Sequence, residues 1–237
     1  MSQTVACKQP MRTLAIGDIH GCFKALQTVV AAAEISADDH LVTLGDYVDR
    51  GPEVPQVLAW LRDHYQSGRL TPLLGNHELM LQACRDDASL RAEWLEFGGR
   101  ATLEAYSDDS KGLSLENIPP EDWLFLEEHC VPFHETETHI FVHAGLHPDL
   151  PLRKQYPQIL FWDRSSVHPP HYSGKTMVCG HTPQEGGYPV NHGHAIYIDT
   201  GVYQKGGWLT CLEVDTGEYW QGDQQGNLRH WQLDPDQ

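Results

Sequence analysis

The sequence predicts an α/β domain that starts on a parallel sheet and finishes in a mixed or antiparallel one. Three observations predict it. The first third alternates short apolar segments with amphipathic helical ones. The connections between its strands are long enough for crossovers, the requirement for a parallel sheet with right-handed connections. Beyond residue 129 the chain turns strand-rich.

The elements follow in order. "RTLAI" (12–16) is a short apolar strand, and Phe23, Leu26, Val30 and Ala33 then recur at helical spacing. "LVTL" (41–44) is the second strand. Val54, Val57, Leu58 and Leu61 mark a second amphipathic helix, with Pro52 and Pro55 near its start, where proline is tolerated. "TPLL" (71–74) is the third strand. Residues 77–129 read as mostly helical, ending in the capped helix "PPEDWLFLEEH" (119–129). Strands are then expected at "THIFV" (138–142), "KTMVC" (175–179), "AIYI" (195–198), "WLTCLEV" (208–214) and "LRHWQL" (228–233). With no repeat or linker in sight, residues 1–237 are expected to form one domain, with 85–129 as a mainly helical insertion.

Bulk composition narrows the function. Lys+Arg total 16 against 33 Asp+Glu, a net charge of -17. Such a chain is a poor nonspecific partner for nucleic acid or an anionic membrane, and neither is expected. A phosphate ester would also be repelled unless the site carries its own cations. The six cysteines (7, 22, 84, 130, 179 and 211) include no C-x-x-C pair, and the N-terminus lacks the apolar stretch of a secretory signal. Reduced, mostly buried thiols in a cytoplasmic protein are the expectation.

The strand exits carry the chemistry. "TLAI" leads into Gly17-Asp18-Ile19-His20, "LVTL" into Gly45-Asp46 and on to Asp49-Arg50, and "TPLL" into Gly75-Asn76-His77-Glu78. "IFV" leads into His143 and "MVC" into Gly180-His181. Sites in parallel α/β sheets form beyond the carboxyl ends of the strands. Asp, His, Asp, Asn, His and His can all ligate a divalent cation. They are too many for one ion with an open position, and they suit two ions sharing a carboxylate. Oxygen and imidazole donors without thiolate suit manganese, iron or catalytic zinc. Asp18 and His20 are two apart, so an extended exit would turn both to one side. Asn76 and His77 are adjacent and face opposite ways, which frees His77 for the substrate if Asn76 binds metal.

Taken in order, "GDIHG", "GDYVDRG", "GNHE", "HAG" and "GHT" resemble the signature of calcineurin-like metallophosphoesterases, and more narrowly the compact bacterial and phage branch of the phosphoprotein phosphatases. The resemblance runs from residue 17 to 182. It implies a metallophosphoesterase fold: a central β-sandwich of mixed sheets flanked by helices, with a dinuclear metal site at the strand carboxyl ends. It implies Asp18 and His20 on one metal, Asp46 bridging, and Asn76, His143 and His181 on the second. It implies His77 as the acid that protonates the leaving oxygen, Asp49 as its orienting partner, and Arg50 as a phosphate ligand. "FWDR" (161–164), read as an aromatic strand and its exit, implies Arg164 as a second phosphate ligand.

The implied activity is hydrolysis of phosphoserine or phosphothreonine on a protein or peptide, with phosphotyrosine left open. Direct attack on phosphorus by a hydroxide bridging two divalent ions, manganese first, would make a phosphoenzyme unnecessary. The expected enzyme is a monomer. Two other functions compete. Symmetric dinucleoside polyphosphate hydrolases are similar to this branch, but there the position of Asp49 is usually not aspartate and "GNHE" tends to read "GNHD". A non-catalytic scaffold would have little use for the full set of residues.

Glu78 reads as structural, Asp199 as a turn residue or an outer support of the site, and His168, His171, His192 and His194 as solvated loop residues. Tryptophans 208, 220 and 231 read as sheet packing. "SGKT" (173–176) is no P-loop, because Pro169 stands where glycine is needed. Cys130 is no thiol-phosphatase nucleophile, because Thr136 stands in the place of its arginine. The stretch 85–129 and the loop 182–194 are expected to wall the groove.

Overall fold

The structure is a computed structural model, and it describes residues 11–107, 110 and 112–234. Cys7 lies outside the described residues. The first half of the fold is as expected. Strands β1 (Thr13–Ile16), β2 (His40–Thr43) and β3 (Leu70–Pro72) alternate with helices α1 (Phe23–Ala32) and α2 (Val54–Gln66). β1 pairs parallel with β2, and β2 parallel with β3. Helix α3 (Asn76–Asp86) opens the helical region, followed by α4 (Arg91–Trp94), a π-helical turn at Leu95–Gly99 and α5 (Arg100–Ala105). The segment "PPEDWLFLEEH" forms α6 (Pro120–Leu124) and a second π-helical turn, Phe125–His129.

The second half contains β4 (Phe133–Glu135), β5 (His139–Val142), β6 (Thr176–Cys179), β7 (Val190–Asn191), β8 (Ala195–Tyr197), β9 (Asp199–Thr200), β10 (Trp208–Glu213), β11 (Glu218–Gly222) and β12 (Leu228–Gln232). "FWDR" does not follow a strand. Pro157 starts a short helix, α7 (Pro157–Trp162), which buries Leu160 and Phe161. The strands make two mixed sheets. One runs β12-β11-β10-β1-β2-β3, with β9 also on β10; the other runs β4-β5-β6-β8-β7. β10 joins β1 antiparallel, so the chain's last strands extend the sheet built by its first.

Alternation along the strands shows how the layers pack. Ala15, Val42, Phe141, Val178, Ile196 and Leu212 meet in one core drawn from both sheets. Their neighbours Leu14, Ile16 and Leu41 pack instead with α1 and α2 residues such as Leu26, Val29 and Leu58. Ile140, Val142, Met177 and Cys179 pack on the far side with Leu160 and Phe161. Central strands are therefore buried on both faces, which is why they read as unbroken apolar runs.

Loop expectations fare unevenly. His168 and His171 are not solvated; they are 3% and 6% exposed. His168 stacks on Tyr197 and its backbone N–H donates to the Tyr197 hydroxyl at 2.8 Å, while His171 Nε2 lies 2.9 Å from the Leu150 carbonyl. Trp220 is buried in the sheet, but Trp231 on β12, the end strand of its sheet, is 57% exposed. Cys22, Cys84, Cys179 and Cys211 are buried, and Cys130 is half-buried. No described helix is long and apolar enough to cross a membrane.

Candidate active site

The exits of β1, β2, β3, β5 and β6 meet at one end of the two sheets. Asp18, His20, Asp46, Asp49, Asn76, His77, His143 and His181 are all at most 5% exposed there. Two triads have donor atoms lying mutually within 4.8 Å: His20–Asp46–His77 and Asp46–His143–His181. Asp46 belongs to both. Asp18 falls outside these triads, and the backbone N–H of His181 donates to both its oxygens at 3.1 Å.

The exits are not extended. Outside glycine, positive φ occurs among the described residues at His20 (44°), Asp46 (52°), Asp49 (69°), Arg50 (69°) and His181 (65°), all at this site, and at Glu34. Each costs about 1–2 kcal/mol, and such strain persists only where surroundings over-determine it. Here they do. The Asp46 carbonyl accepts the N–H groups of Ile19 and His20 at 3.1 and 2.8 Å, joining the first two exits. Glu78 joins the second and third: its carboxylate accepts the N–H groups of Asp46, Tyr47, Val48 and Gly75 at 2.7–3.2 Å.

The donor set fits divalent cations. His20 and His143 each place Nδ1 2.8 Å from a carbonyl, of Val48 and Leu44 respectively. A carbonyl only accepts, so both rings carry the Nδ1 proton and turn an Nε2 lone pair inward. His143 Nε2 then faces Asn76 Oδ1 at 2.9 Å, His181 Nδ1 at 3.1 Å and Asp46 Oδ1 at 3.4 Å. His20 Nε2 faces Asp46 Oδ2 at 3.4 Å and the Arg50 guanidinium at 2.8 Å. Burial, reinforced by neighbouring imidazoles, lowers the pKa of His20 and takes His181 down to about 3; burial also lowers His143. Neutral imidazoles beside carboxylates are ready ligands.

The acids carry the opposite stress. Burial and the charges of Asp199 and Asp46 raise Asp18 well above the usual aspartate value. Burial and the Asp46 charge push Asp199 up to about 7. Burial would also raise Asp46, but the surrounding imidazoles, His143 first, hold it low. His77 differs from the other imidazoles. Burial pulls its pKa down, yet Asp46 and Asp49 outweigh that and leave it raised. Its Nδ1 lies 2.7 Å from Asp49 Oδ2, and its Nε2 faces Asp46 Oδ2 at 3.8 Å.

Arg50 stacks over the Tyr203 ring at 4.1 Å. Arg164 is exposed just beyond α7, and its charge is felt by His181 and Asp199. Three neighbours carry no local signal in the sequence: Trp94 and Thr102 hydrogen-bond Asp49, and Tyr203 covers Arg50. Asp199, which follows an apolar strand like the others and reads from the sequence as a turn residue or an outer support, is 1% exposed with Oδ2 unpartnered among the described residues.

Comparison with known proteins agrees with this geometry. A family model for calcineurin-like phosphoesterases matches residues 11–206. Serine/threonine-protein phosphatase 1 of Salmonella typhimurium is 29% identical over 233 residues, covering 90% of this chain and 96% of that protein. A symmetrical bis(5'-nucleosyl)-tetraphosphatase of Nitrosomonas europaea is 36% identical over 141 residues, 59% of this chain and 46% of that protein. The chain spans about half the length, or less, of most curated relatives it matches. Among solved structures, a candidate diadenosine tetraphosphatase shares the fold, with a TM-score of 0.66 at 21% identity over 95% of both chains. With its family signature matched from residue 11 to 206 and cation-fitting triads at the strand exits, the chain belongs to the calcineurin-like phosphoesterases, hydrolases that normally hold two divalent metal ions.

Proposed function

We propose that the chain is a phosphoprotein phosphatase acting on phosphoserine and phosphothreonine. Asp18, His20 and Asp46 would hold one ion, and Asp46, Asn76, His143 and His181 the other, with manganese the expected metal. Two divalent ions supply positive charge at the phosphoryl group and a water of lowered pKa. The remaining work falls to the chain's own residues. Arg50 and Arg164 bind the non-bridging oxygens and offset the repulsion of a chain of charge -17. His77 gives the Nε2 proton to the leaving oxygen, and Asp49 fixes the ring through Nδ1.

The observation that carries this reading is the His77–Asp49 pair, a raised-pKa imidazole locked at 2.7 Å through Nδ1 with its Nε2 turned toward Asp46. A serine or threonine alkoxide is a poor leaving group and needs a proton. A nucleotide phosphate leaves readily without one. The tetraphosphatase relatives favour the second reading, hydrolysis of symmetric dinucleoside polyphosphates.

Turnover of a phosphoserine peptide and of diadenosine tetraphosphate by the manganese-loaded protein separates them. The expected result is a kcat/KM preference of about tenfold or more for the peptide. A preference of that size for the dinucleotide overturns the proposal.

A further inference from the structure

We infer that the helical segment from Arg91 to Ala105 is part of the proton-delivery machinery, with Trp94 and Thr102 as positioning residues for the His77–Asp49 pair. The inference rests on the reading of His77 as the leaving-group acid. Asp49 Oδ2 accepts the His77 ring at 2.7 Å and the Trp94 indole N–H at 2.9 Å. Asp49 Oδ1 accepts the Thr102 hydroxyl at 2.6 Å, and the same hydroxyl accepts the Asp49 backbone N–H at 2.9 Å. That exchange leaves the Thr102 hydrogen no choice of partner: the oxygen receives from the backbone, so its own proton goes to the carboxylate.

The carboxylate is thus gripped from three directions by groups 28, 45 and 53 residues away. Two of the three belong to the helical segment. Asp49 and Trp94 are 0% and 1% exposed, so the grip is dry, and hydrogen bonds to a buried charge are strong.

The same segment also shapes the next residue. The Gly98 carbonyl accepts the Arg50 N–H at 3.1 Å. Gly98 has φ +109°, and a Cβ there would sit 2.7 Å from Arg50 Cγ. The π-helical turn therefore brings its backbone against Arg50 while Trp94 before it and Thr102 after it hold Asp49. Without these contacts, among the described residues, only the hydrogen bond from His77 would set the Asp49 carboxylate plane, and His77 is the group it must orient. An aspartate that can rotate cannot keep His77 Nε2 aimed at the leaving oxygen.

The test is the dependence on leaving group. Trp94→Phe keeps the ring but loses the indole N–H; Thr102→Val keeps the shape but loses the hydroxyl; Thr102→Ser keeps the hydroxyl. Each is assayed, manganese-loaded, on a phosphoserine peptide and on p-nitrophenyl phosphate, with metal content and Tm measured alongside. General-acid catalysis contributes about 10²–10⁴-fold, and misorientation forfeits part of it. Trp94→Phe and Thr102→Val should lose about 10–100-fold in kcat on the peptide and under about threefold on the aryl ester, whose leaving group needs no proton. Metal content should be intact, and Thr102→Ser should recover most of the peptide activity. Equal losses on both substrates, or no loss on either, overturn the inference. His77→Asn run in parallel separates the two readings. If it shows no split between the esters, the acid assignment falls. If it splits them and the Trp94 and Thr102 variants do not, only the positioning role falls.

Discussion

Glu78→Gln tests whether the site is held by a carboxylate that never needs to meet the substrate. Glu78 is 0% exposed and lies on the first turn of α3. Oε2 accepts the N–H groups of Asp46 and Gly75 at 2.8 and 2.9 Å, and Oε1 those of Tyr47 and Val48 at 2.7 and 3.2 Å. Burial and the Asp46 charge push its carboxyl up to about 7 against those donors, so the measurement belongs at pH 8, where the ionised form is present. Glutamine has the same shape but turns one oxygen into an NH₂ group. Two backbone N–H groups then face donors and lose their acceptor. Each unpaired buried group costs about 1–3 kcal/mol, so the substitution costs about 4 kcal/mol. In a domain of this size that lowers Tm by about 8–16 °C. Metal retention should fall too, because Asp46 at φ 52° loses one of its restraints. Thermal unfolding followed by far-ultraviolet circular dichroism reads the first effect, and metal analysis after gel filtration the second. Glu185→Gln, at an exposed position, is the control. A Tm within about 2 °C of the parent would refute the idea that these four bonds hold the two exits together.

Two further outcomes follow from the crowded acids. Gly180→Ala would put a Cβ 2.0 Å from Asp18 Oδ1, so the carboxylate must swing off the His181 N–H; metal stoichiometry should drop by about one ion per chain, and full occupancy after dialysis would count against Asp18 as a ligand. In chelator-treated protein, Asp18 and Asp199 have folded pKa values raised, Asp199 to about 7, chiefly by burial. At these two positions the native state holds more protons than the unfolded chain between the usual aspartate value and about 7, so the two acids make metal-free stability fall as pH rises through that window. The lowered imidazoles of His20, His143 and His181 act in the opposite sense, so the acid contribution is read as a difference: with chelator, the urea midpoint of Asp199→Asn should gain on that of the parent as pH rises toward neutrality. A difference that does not change with pH would show that Asp199 is not stressed as described.

The fold was legible where burial dictates residue type over a run. Strands β1, β2, β5 and β6 are covered on both faces, so their apolar runs end abruptly on the charged exits, and both edges of the pattern can be read. The misses have local causes. β7 and β9 are two residues each and β4 three, too short for any alternation to declare itself. "FWDR" looked extended because it is aromatic, but Pro157 at the first turn and the buried Leu160–Phe161 pair make it helical. The loop histidines 168 and 171 looked solvated because proline surrounds them; a tyrosine 29 residues away and a carbonyl 21 residues away bury them instead.

The candidate site divides along a different line. Groups able to grip a cation are few, and glycine-flanked strand exits announce them, so Asp18, His20, Asp46, Asn76, His143 and His181 could be named from the sequence. What the sequence does not encode locally is how those groups are aimed. His20, Asp46, Asp49, Arg50 and His181 all take a left-handed backbone that their residue types do not suggest. That backbone is stable only because remote partners complete it: Glu78 for Asp46, Thr102 and Trp94 for Asp49, Gly98 for Arg50. These partners follow no periodicity of helix or strand, since each is set by a three-dimensional coincidence across 32 to 53 residues. A glutamate that accepts four backbone N–H groups and a threonine that both takes and gives at one aspartate are as necessary to the geometry as any residue of the triads. Chemistry selects the residue types that can be recognised; the fold supplies their directions, and those are the part a sequence read alone leaves open.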